Sequence, residues 1–283
     1  MLLLPLNILL ESFKWKLLID KLELVKMNKA FTAVLTGISV SMFLPNRVGD
    51  YLGRVFVLDH ASHIKGILVT LIGSLAQILT TMIAGGLALI FVVPIVYDIT
   101  MSPADLLYFG MVLLVLLLAS FFVLLYFNVG LLKVISVNIF KKRKLLIESY
   151  SEVFALYKKR ELFIVLMLSI LRYSIFSFQF YLMLHVFDFE LNYFDAMMLI
   201  SLTYFVITTI PTIAITELGV RGSVAVSLFS IYFTGSQLWT DHAALSVIAA
   251  SSAVWLINLA LPAIFGAIFA YRLKFFRRTI DDK

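Results

Sequence analysis

The amino-acid sequence predicts an all-α polytopic membrane protein that forms a single transmembrane domain over residues 1–283. Of these residues, 62% are hydrophobic and 14% are charged, whereas roughly a quarter of the residues in a soluble domain are charged. The mean hydropathy is correspondingly high, at +1.02. So few charges cannot cover the surface of a soluble chain, which excludes a soluble enzyme, a nucleic-acid-binding protein and a disordered chain. The sequence contains no cysteine, which excludes disulfides, thiolate metal sites and cysteine nucleophiles.

Four apolar segments are long enough to be membrane-spanning helices. A helix needs about 20 consecutive apolar residues to cross the ~30 Å hydrocarbon core of a bilayer. The segments that reach this length are 66–97, 106–127, 162–187 and 243–271. Arg172 interrupts the third of them near its middle.

The charges between these spans predict their orientation. Lys and Arg cluster in residues 11–29, 133–160 and 272–278, whereas the loops that begin at residues 98 and 188 are acidic. Basic loops stay on the cytoplasmic side of the membrane. The basic segments and the C-terminus are therefore predicted to be cytoplasmic, and the four spans then alternate in direction.

Two further apolar segments are too short to cross, and each ends at a proline. Residues 30–44 stop at Pro45, and residues 196–210 stop at Pro211. Because the four spans alternate, both flanks of each broken unit must lie on one side of the membrane. We therefore predict two re-entrant or interfacial helix hairpins. Non-helical backbone at membrane depth is tolerated only inside protein or beside a wet cavity.

The two hairpins share a pattern that predicts an inverted-topology repeat. An acid follows the proline by five or six residues, a Gly by eight, and an Arg by nine or ten. We predict a first repeat at about 1–97, a linking span at 106–127, a cytoplasmic basic segment at 128–161 and a second repeat at about 162–272. The predicted helix breaks or hinges are Pro45, Gly49, Gly53, Pro211, Gly219 and Gly222. The alternative is chance, since Pro and Gly are common in transmembrane helices.

Inverted repeats with broken helices in matching positions are typical of secondary transporters, which bind substrate at the breaks near the midplane. By the same symmetry, a helix should cross the membrane before the first hairpin. The apolar start of the chain ends by residue 10, which is about half a crossing. We therefore expect the first helix to be incomplete and the chain to begin inside a longer ancestral protein.

Charged residues in and near the breaks are the predicted substrate-binding residues: Arg47, Asp50, Arg54, Arg172, Glu217 and Arg221. Charge within a membrane is costly and usually functional. Arg binds phosphate through two parallel hydrogen bonds, so we expect a polar cavity for an anionic headgroup. The carboxylates would orient the arginines or carry a coupling proton. The alternative is that the acid–Arg pairs neutralise one another and lock the broken helices together.

The segment 44–54, LPNRVGDYLGR, resembles the signature "P…G-acid-x-x-x-R" of the lysylphosphatidylglycerol synthase transmembrane-region family. These are flippase-like integral membrane proteins, and they include the flippase half of multiple peptide resistance factor. Residues 15–18 and 210–219 are similar to two further motifs of the family. The sequence departs from the pattern in having Asp50 where Glu is commoner, and in lacking the first helices. The resemblance implies a multi-pass protein of the bacterial inner membrane that flips or transports lipids.

Three functions therefore remain open at the level of sequence. The leading hypothesis is a flippase that moves an anionic or modified phospholipid, or a lipid-linked precursor. The second is an integral-membrane headgroup transferase, for which only Asp50 or Glu217 could serve as the base. The third is a non-catalytic membrane partner of a neighbouring glycosyl or aminoacyl transferase. For partners, the membrane and its lipid are expected, and a membrane-enzyme partner and a homo-oligomer both stay open. No catalytic, metal or cofactor motif is found, and we expect no cofactor and no nucleic-acid partner.

Overall fold

The computed structural model describes residues 3–44, 48–99, 105–131, 149–212 and 214–272. The first half of this part contains the helices α1 (Leu3–Ile19), α2 (Met27–Ser41), α3 (Val48–Val55), α4 (His63–Val96) and α5 (Leu106–Phe127). A short 3₁₀ helix, Glu152–Leu156, follows. The second half contains α6 (Lys159–Val186), α7 (Tyr193–Thr209), α8 (Ala214–Tyr232), α9 (Asp241–Trp255), a π-helical turn (Leu256–Ala260) and α10 (Leu261–Arg272).

Within the described ranges, four helices are long and apolar enough to cross a membrane, as the sequence predicted. They are α4, α5, α6 and the continuous segment Asp241–Phe269, which consists of α9, the π-helical turn and most of α10. Each agrees with its predicted span to within a few residues. The chain is thus an all-helical, multi-pass membrane protein. Residues 132–148 of the predicted cytoplasmic basic segment and the end of the tail, from residue 273, lie outside the described residues.

Helix α1 differs from its predicted form. It continues to Ile19, nine residues beyond the end of the apolar start. The assignment of Glu11 and Lys14 to a cytoplasmic loop is therefore wrong, because both lie within α1 and are buried. They remain in the interior because α1 packs against α2, α4 and α6, and because Arg54 of α3 and Arg172 and Ser169 of α6 provide polar partners for the two charges. Trp15 fixes the helix in place by donating from Nε1 to Thr70 Oγ1 of α4, at 3.0 Å.

The helices pair in the same way in both halves of the chain. Helix α2 packs on α3, and α7 packs on α8. Helix α4 then packs against α7 of the other half, while α10 packs against α2. This exchange of partners is what a two-fold repeat would produce, although the inverted membrane topology and the re-entrant path of the hairpins stay predictions.

The two largest apolar clusters among the described residues support this arrangement, one centred in each half. The first is centred on α1, α2 and α4 and includes Trp15 and Val69. The second joins α6 to α9 and includes Phe180 and Phe229. Helix α5 packs along one side of α4, with only Tyr108 and Tyr126 buried along its length. The region between the clusters, where the two hairpins meet, contains the buried charges.

Candidate functional site

Both helix breaks open onto the same region of the molecule. Helix α2 ends at Ser41 and α3 begins at Val48, so the first break lies between them. Pro45 and Arg47 lie in that break but outside the described residues. Helix α7 ends at Thr209 and α8 begins at Ala214, with Pro211 between them.

A cavity of about 490 Å³ lies between the two breaks. It is lined by five of the six predicted site residues, which are Asp50, Arg54, Arg172, Glu217 and Arg221. Glu11 and Lys14 of α1 also line it. Four cations and three carboxylates therefore face one cavity, which gives an excess of one positive charge when all seven are ionised.

Glu11 is the centre of the charge network. Its Oε1 accepts from Arg54 Nη1 at 2.7 Å. Its Oε2 accepts from Arg172 Nη1 at 2.7 Å and lies 2.8 Å from Lys14 Nζ. A single carboxylate with 5% exposure thus contacts three cations, from α1, α3 and α6. Since each unpaired charge in this interior would be costly, Glu11 is the group that allows the three cations to lie together.

Asp50 shares the neutralisation of Arg54. Arg54 Nε donates to Asp50 Oδ1 at 2.8 Å, and Nη2 donates to Oδ2 at 2.6 Å. The two residues are one turn apart on α3, as their spacing predicted. The guanidinium is held by carboxylates on two helices, which fixes α3 against α1.

Arg172 connects three helical segments. Its Nε donates to Asn7 Oδ1 at 2.8 Å, in addition to its bond to Glu11. Asn7 Nδ2 in turn lies 3.4 Å from Asn258 Oδ1 in the π-helical turn. The guanidinium also lies over the Phe176 ring, 5.2 Å from its centroid. The prediction that Arg172 faces the bundle interior agrees with this placement.

Glu217 and Arg221 form the ion pair of the second hairpin. Arg221 Nε and Nη2 approach Glu217 Oε1 at 2.8 and 2.5 Å. Arg221 also lies near the Tyr204 ring, with Cζ 6.0 Å from the centroid. The pair lies within one turn of α8, and Arg221 keeps 16% of its side chain exposed in the cavity.

The predicted hinge glycines lie inside helices. Gly49 and Gly53 belong to α3, while Gly219 and Gly222 belong to α8. In α3 the glycine serves a close approach, since a Cβ on Gly53 would come within 2.7 Å of Gly37 Cα on α2. The prediction that these four glycines break the helices is therefore wrong, and their role as hinges stays a prediction.

The sequence interpretation missed Glu11, Lys14 and Asn7, which all belong to α1. Lys14 is only 2% exposed, and its Nζ lies 3.5 Å from Ser169 Oγ on α6. The signal that could have found these residues is the apolar pattern continuing through Trp15 and Leu18. That pattern extends the helix past its first charges and places an acid and a Lys three residues apart on one face.

Comparison with known proteins agrees with this architecture. Among curated proteins and among solved structures, no match to the chain was found. A family model described as the lysylphosphatidylglycerol synthase transmembrane region matches residues 1–259, which is most of the chain. This match confirms the resemblance seen in the first hairpin. The chain therefore belongs to the lysylphosphatidylglycerol synthase transmembrane-region family, and it is a multi-pass membrane protein of a family associated with lipid modification.

Proposed function

We propose that this protein is a flippase that moves an anionic or modified phospholipid, or a lipid-linked precursor, across the bacterial inner membrane. The observation that carries the proposal is the charged cavity between the two helix breaks, with its four cations and three carboxylates. A cavity whose lining has one excess cation favours an anion, because the anion balances the uncompensated charge.

The phosphate group of a lipid is the anion that suits these residues best. A guanidinium presents donors in a planar fork that matches two phosphate oxygens. Arg221 is well placed to receive it, because its pair with Glu217 is made through Nε and Nη2 only and its side chain is partly exposed in the cavity. Arg172 lines the same wall from α6. The phosphate would therefore lie between the second hairpin and the centre of the molecule.

The broken hairpins suggest how such a site would open to either side. Movement of one hairpin against the remaining helices would expose the cavity first to one leaflet and then to the other. This alternating-access cycle is typical of transporters built from inverted repeats. In this proposal the family resemblance supports lipid as the cargo.

The transferase alternative is less well supported by the geometry. Its base would be Asp50 or Glu217, and both carboxylates accept hydrogen bonds from arginines one turn away. Both oxygens of Asp50 and one oxygen of Glu217 are engaged in this way, which leaves few acceptor positions for a proton from a second substrate. We therefore place transport ahead of catalysis.

A scrambling assay on the purified full chain in liposomes tests the proposal. Fluorescent phosphatidylglycerol and phosphatidylcholine, each labelled on an acyl chain, are compared by their rate of bleaching with dithionite. We expect the wild type to move phosphatidylglycerol faster. Arg221→Gln should slow this transport about tenfold or more, since a hydrogen bond to a charged group is worth ~1.5–3 kcal/mol.

The matched control is Arg160→Gln, since Arg160 is exposed at the start of α6 and does not line the cavity. It should transport as the wild type does. Equal rates for the two lipids, or no transport by a folded wild-type protein, would contradict the proposal.

A further inference from the structure

Lys14 differs in chemistry from the other cations of the charged cavity. It lies on α1 with 2% of its side chain exposed, and the other three cations among the described residues of the cavity wall are arginines. A guanidinium stays protonated inside a protein, whereas a buried lysine releases its proton much more readily. Of these four cations, Lys14 is therefore the one whose charge can change.

The carboxylates beside Lys14 already have other counter-ions. Glu11 Oε1 accepts from Arg54 and Glu11 Oε2 accepts from Arg172, both at 2.7 Å. Both oxygens of Asp50 accept from Arg54. Two carboxylates are thus bonded to two arginines before Lys14 is counted. Within this cluster of described residues, the charges balance when Lys14 is neutral, and one positive charge is in excess when it is protonated.

The hydrogen bonds of Lys14 suit either form of the side chain. Its Nζ lies 2.8 Å from Glu11 Oε2 and 3.5 Å from Ser169 Oγ on α6. Ser169 donates its own hydroxyl proton to the Val165 carbonyl, so its Oγ acts as an acceptor towards Lys14. A neutral amine has two N–H groups, which is enough for both partners, and its lone pair is then the position that takes up a proton.

The helices around α1 leave this cluster as the electrostatic surroundings of Lys14. The charged and titratable groups on the same part of the cavity wall are Glu11 of α1, Asp50, Tyr51 and Arg54 of α3, and Arg172 of α6. Helix α4 approaches through Gly73, where a Cβ would lie 3.6 Å from Lys14 Cε. Other described charges on the helices packed against α1 lie eight or more residues along the helix from this level or are paired elsewhere: His63 and Lys65 of α4, residues 159–161 of α6, and Lys29 of α2, which pairs with Glu23 and Asp59.

We propose that Lys14 is a proton-binding site that couples the entry of a lipid phosphate to the uptake of one proton, which makes the protein a proton–anion symporter. The inference rests on the proposed function. When a singly charged phosphodiester enters the cavity, the lone pair of Nζ forms an N–H bond with a proton from the cavity water. The new ammonium balances the anion. When the anion leaves, the ammonium returns the proton to water, so neither step leaves an uncompensated charge in the interior.

Proton uptake during lipid binding tests the inference. Dihexanoyl phosphatidylglycerol, whose phosphodiester keeps a single charge from neutral to mildly alkaline pH, is titrated calorimetrically into the purified full chain. The difference in binding heat between two buffers of unequal protonation enthalpy gives the number of protons taken up per lipid. For the wild type we expect up to about one proton, and an affinity that falls by up to about tenfold per pH unit where Lys14 is neutral in the free protein, because the coupling of two ligands is reciprocal.

The variants Lys14→Met and Lys14→Arg fix the charge at this position as neutral or as positive. Both should lose the proton uptake and the accompanying pH dependence, and Lys14→Met should bind the lipid more weakly at neutral pH. Because the cluster is balanced without Lys14, we expect Lys14→Met to fold. Lys16→Met is the matched control, since Lys16 lies two residues away on α1, pairs with Asp20 and does not line the cavity. It should take up protons as the wild type does.

Two results overturn the inference and leave the proposed function standing. One is binding of the lipid by the wild type with no proton uptake and with an affinity that does not change with pH. The other is proton uptake that persists in folded Lys14→Met or Lys14→Arg, which would place the proton on another group. If the folded wild type does not bind the lipid, the proposed function fails, and this inference fails with it.

Discussion

The two broken hairpins look alike in sequence but are held very differently in the structure. In the first, α2 and α3 approach so closely that a Cβ on Gly37 would come within 2.5 Å of Asp50 Oδ1. In the second, a Cβ on Gly219 would meet nothing within 4 Å. The same proline, acid, glycine and arginine pattern therefore supports one tightly packed hairpin and one with space around it.

The arginines of the two hairpins differ in the same way, since the first is held more firmly than the second. Arg54 of the first hairpin is bound by Asp50 and also by Glu11 of α1, and its side chain is 5% exposed. Arg221 of the second hairpin is more exposed, and it pairs with Glu217 of its own helix. If one hairpin moves during transport, this comparison points to α7–α8, with α2–α3 as the fixed part.

The largest effect should come from removing the carboxylate that joins the first hairpin to α1. Glu11→Gln leaves three buried cations with one fewer counter-charge, and we expect it to destabilise the fold by about 3–5 kcal/mol. Glu217→Gln should cost less, about 1–3 kcal/mol, because water in the cavity can hydrate Arg221. Thermal unfolding of both variants in the same detergent measures the difference. Equal losses of stability in the two variants would show that the charges do not hold the first hairpin more firmly than the second.

A smaller effect should follow from filling the glycine positions. Gly53→Ala places a methyl group 2.7 Å from the backbone of α2, and such overpacking costs about 1–3 kcal/mol. Gly219→Ala lies inside a helix with open space around it, so it should be neutral or stabilise by about 0.5–1 kcal/mol. Unfolding temperatures of the two single variants check this. A destabilised Gly219→Ala together with a tolerated Gly53→Ala would reverse the assignment of tight and loose hairpins.

The smallest effect concerns the loops at the base of the first hairpin. Burial alone would raise the pKa of Glu23, but the backbone N–H groups of His60 and Ala61, the Lys29 ammonium and the N–H of Asp59 lower it to about 2. A lowered pKa stabilises the folded state above the ordinary value of about 4.3, and this contribution is lost as the pH falls towards 2.

We therefore expect Glu23→Gln to lower the unfolding temperature by about 2–4 °C at neutral pH, and by progressively less below pH ~4.3. Thermal unfolding of the wild type and the variant across this pH range measures the difference between their unfolding temperatures. A difference in unfolding temperature that is constant down to pH ~2 would show that the charge of Glu23 does not stabilise these loops.

The sequence predicted the spans and most of the site charges for a simple physical reason. Long apolar runs such as 106–127 have few alternatives to a membrane span, and Arg172 within such a run must face protein. The sequence-based prediction of α1 was wrong, because Glu11 and Lys14 near the middle of the helix are typical of a loop. Only the neighbouring helices show that both charges have buried partners. The shared network around Glu11 depends on contacts between residues more than 40 positions apart, such as Glu11 with Arg54. Local spacing cannot predict those contacts.

The sequence could not predict the difference in packing between the two hairpins either. Gly53 and Gly219 occupy the same position in the repeated pattern, eight residues after a proline. Only the close approach of α2 distinguishes them. Of the described residues in the pattern, Pro211 marks a break between helices, whereas the four glycines lie inside helices. The pattern left open which hairpin is held rigidly.

The most direct test of the central claim is whether an anionic lipid occupies the charged cavity. The chain has no cysteine, so Ser74→Cys introduces a single thiol on the cavity wall. Its rate of reaction with a small charged methanethiosulfonate is measured in detergent, with dihexanoyl phosphatidylglycerol or with dihexanoyl phosphatidylcholine. Gln237→Cys, in the exposed loop between α8 and α9, is the control.

We predict that phosphatidylglycerol slows the reaction at residue 74 several-fold more than phosphatidylcholine does, and that neither lipid affects residue 237. Equal protection by both lipids, or protection by neither, would contradict the claim that the arginines between the two hairpins bind a lipid phosphate.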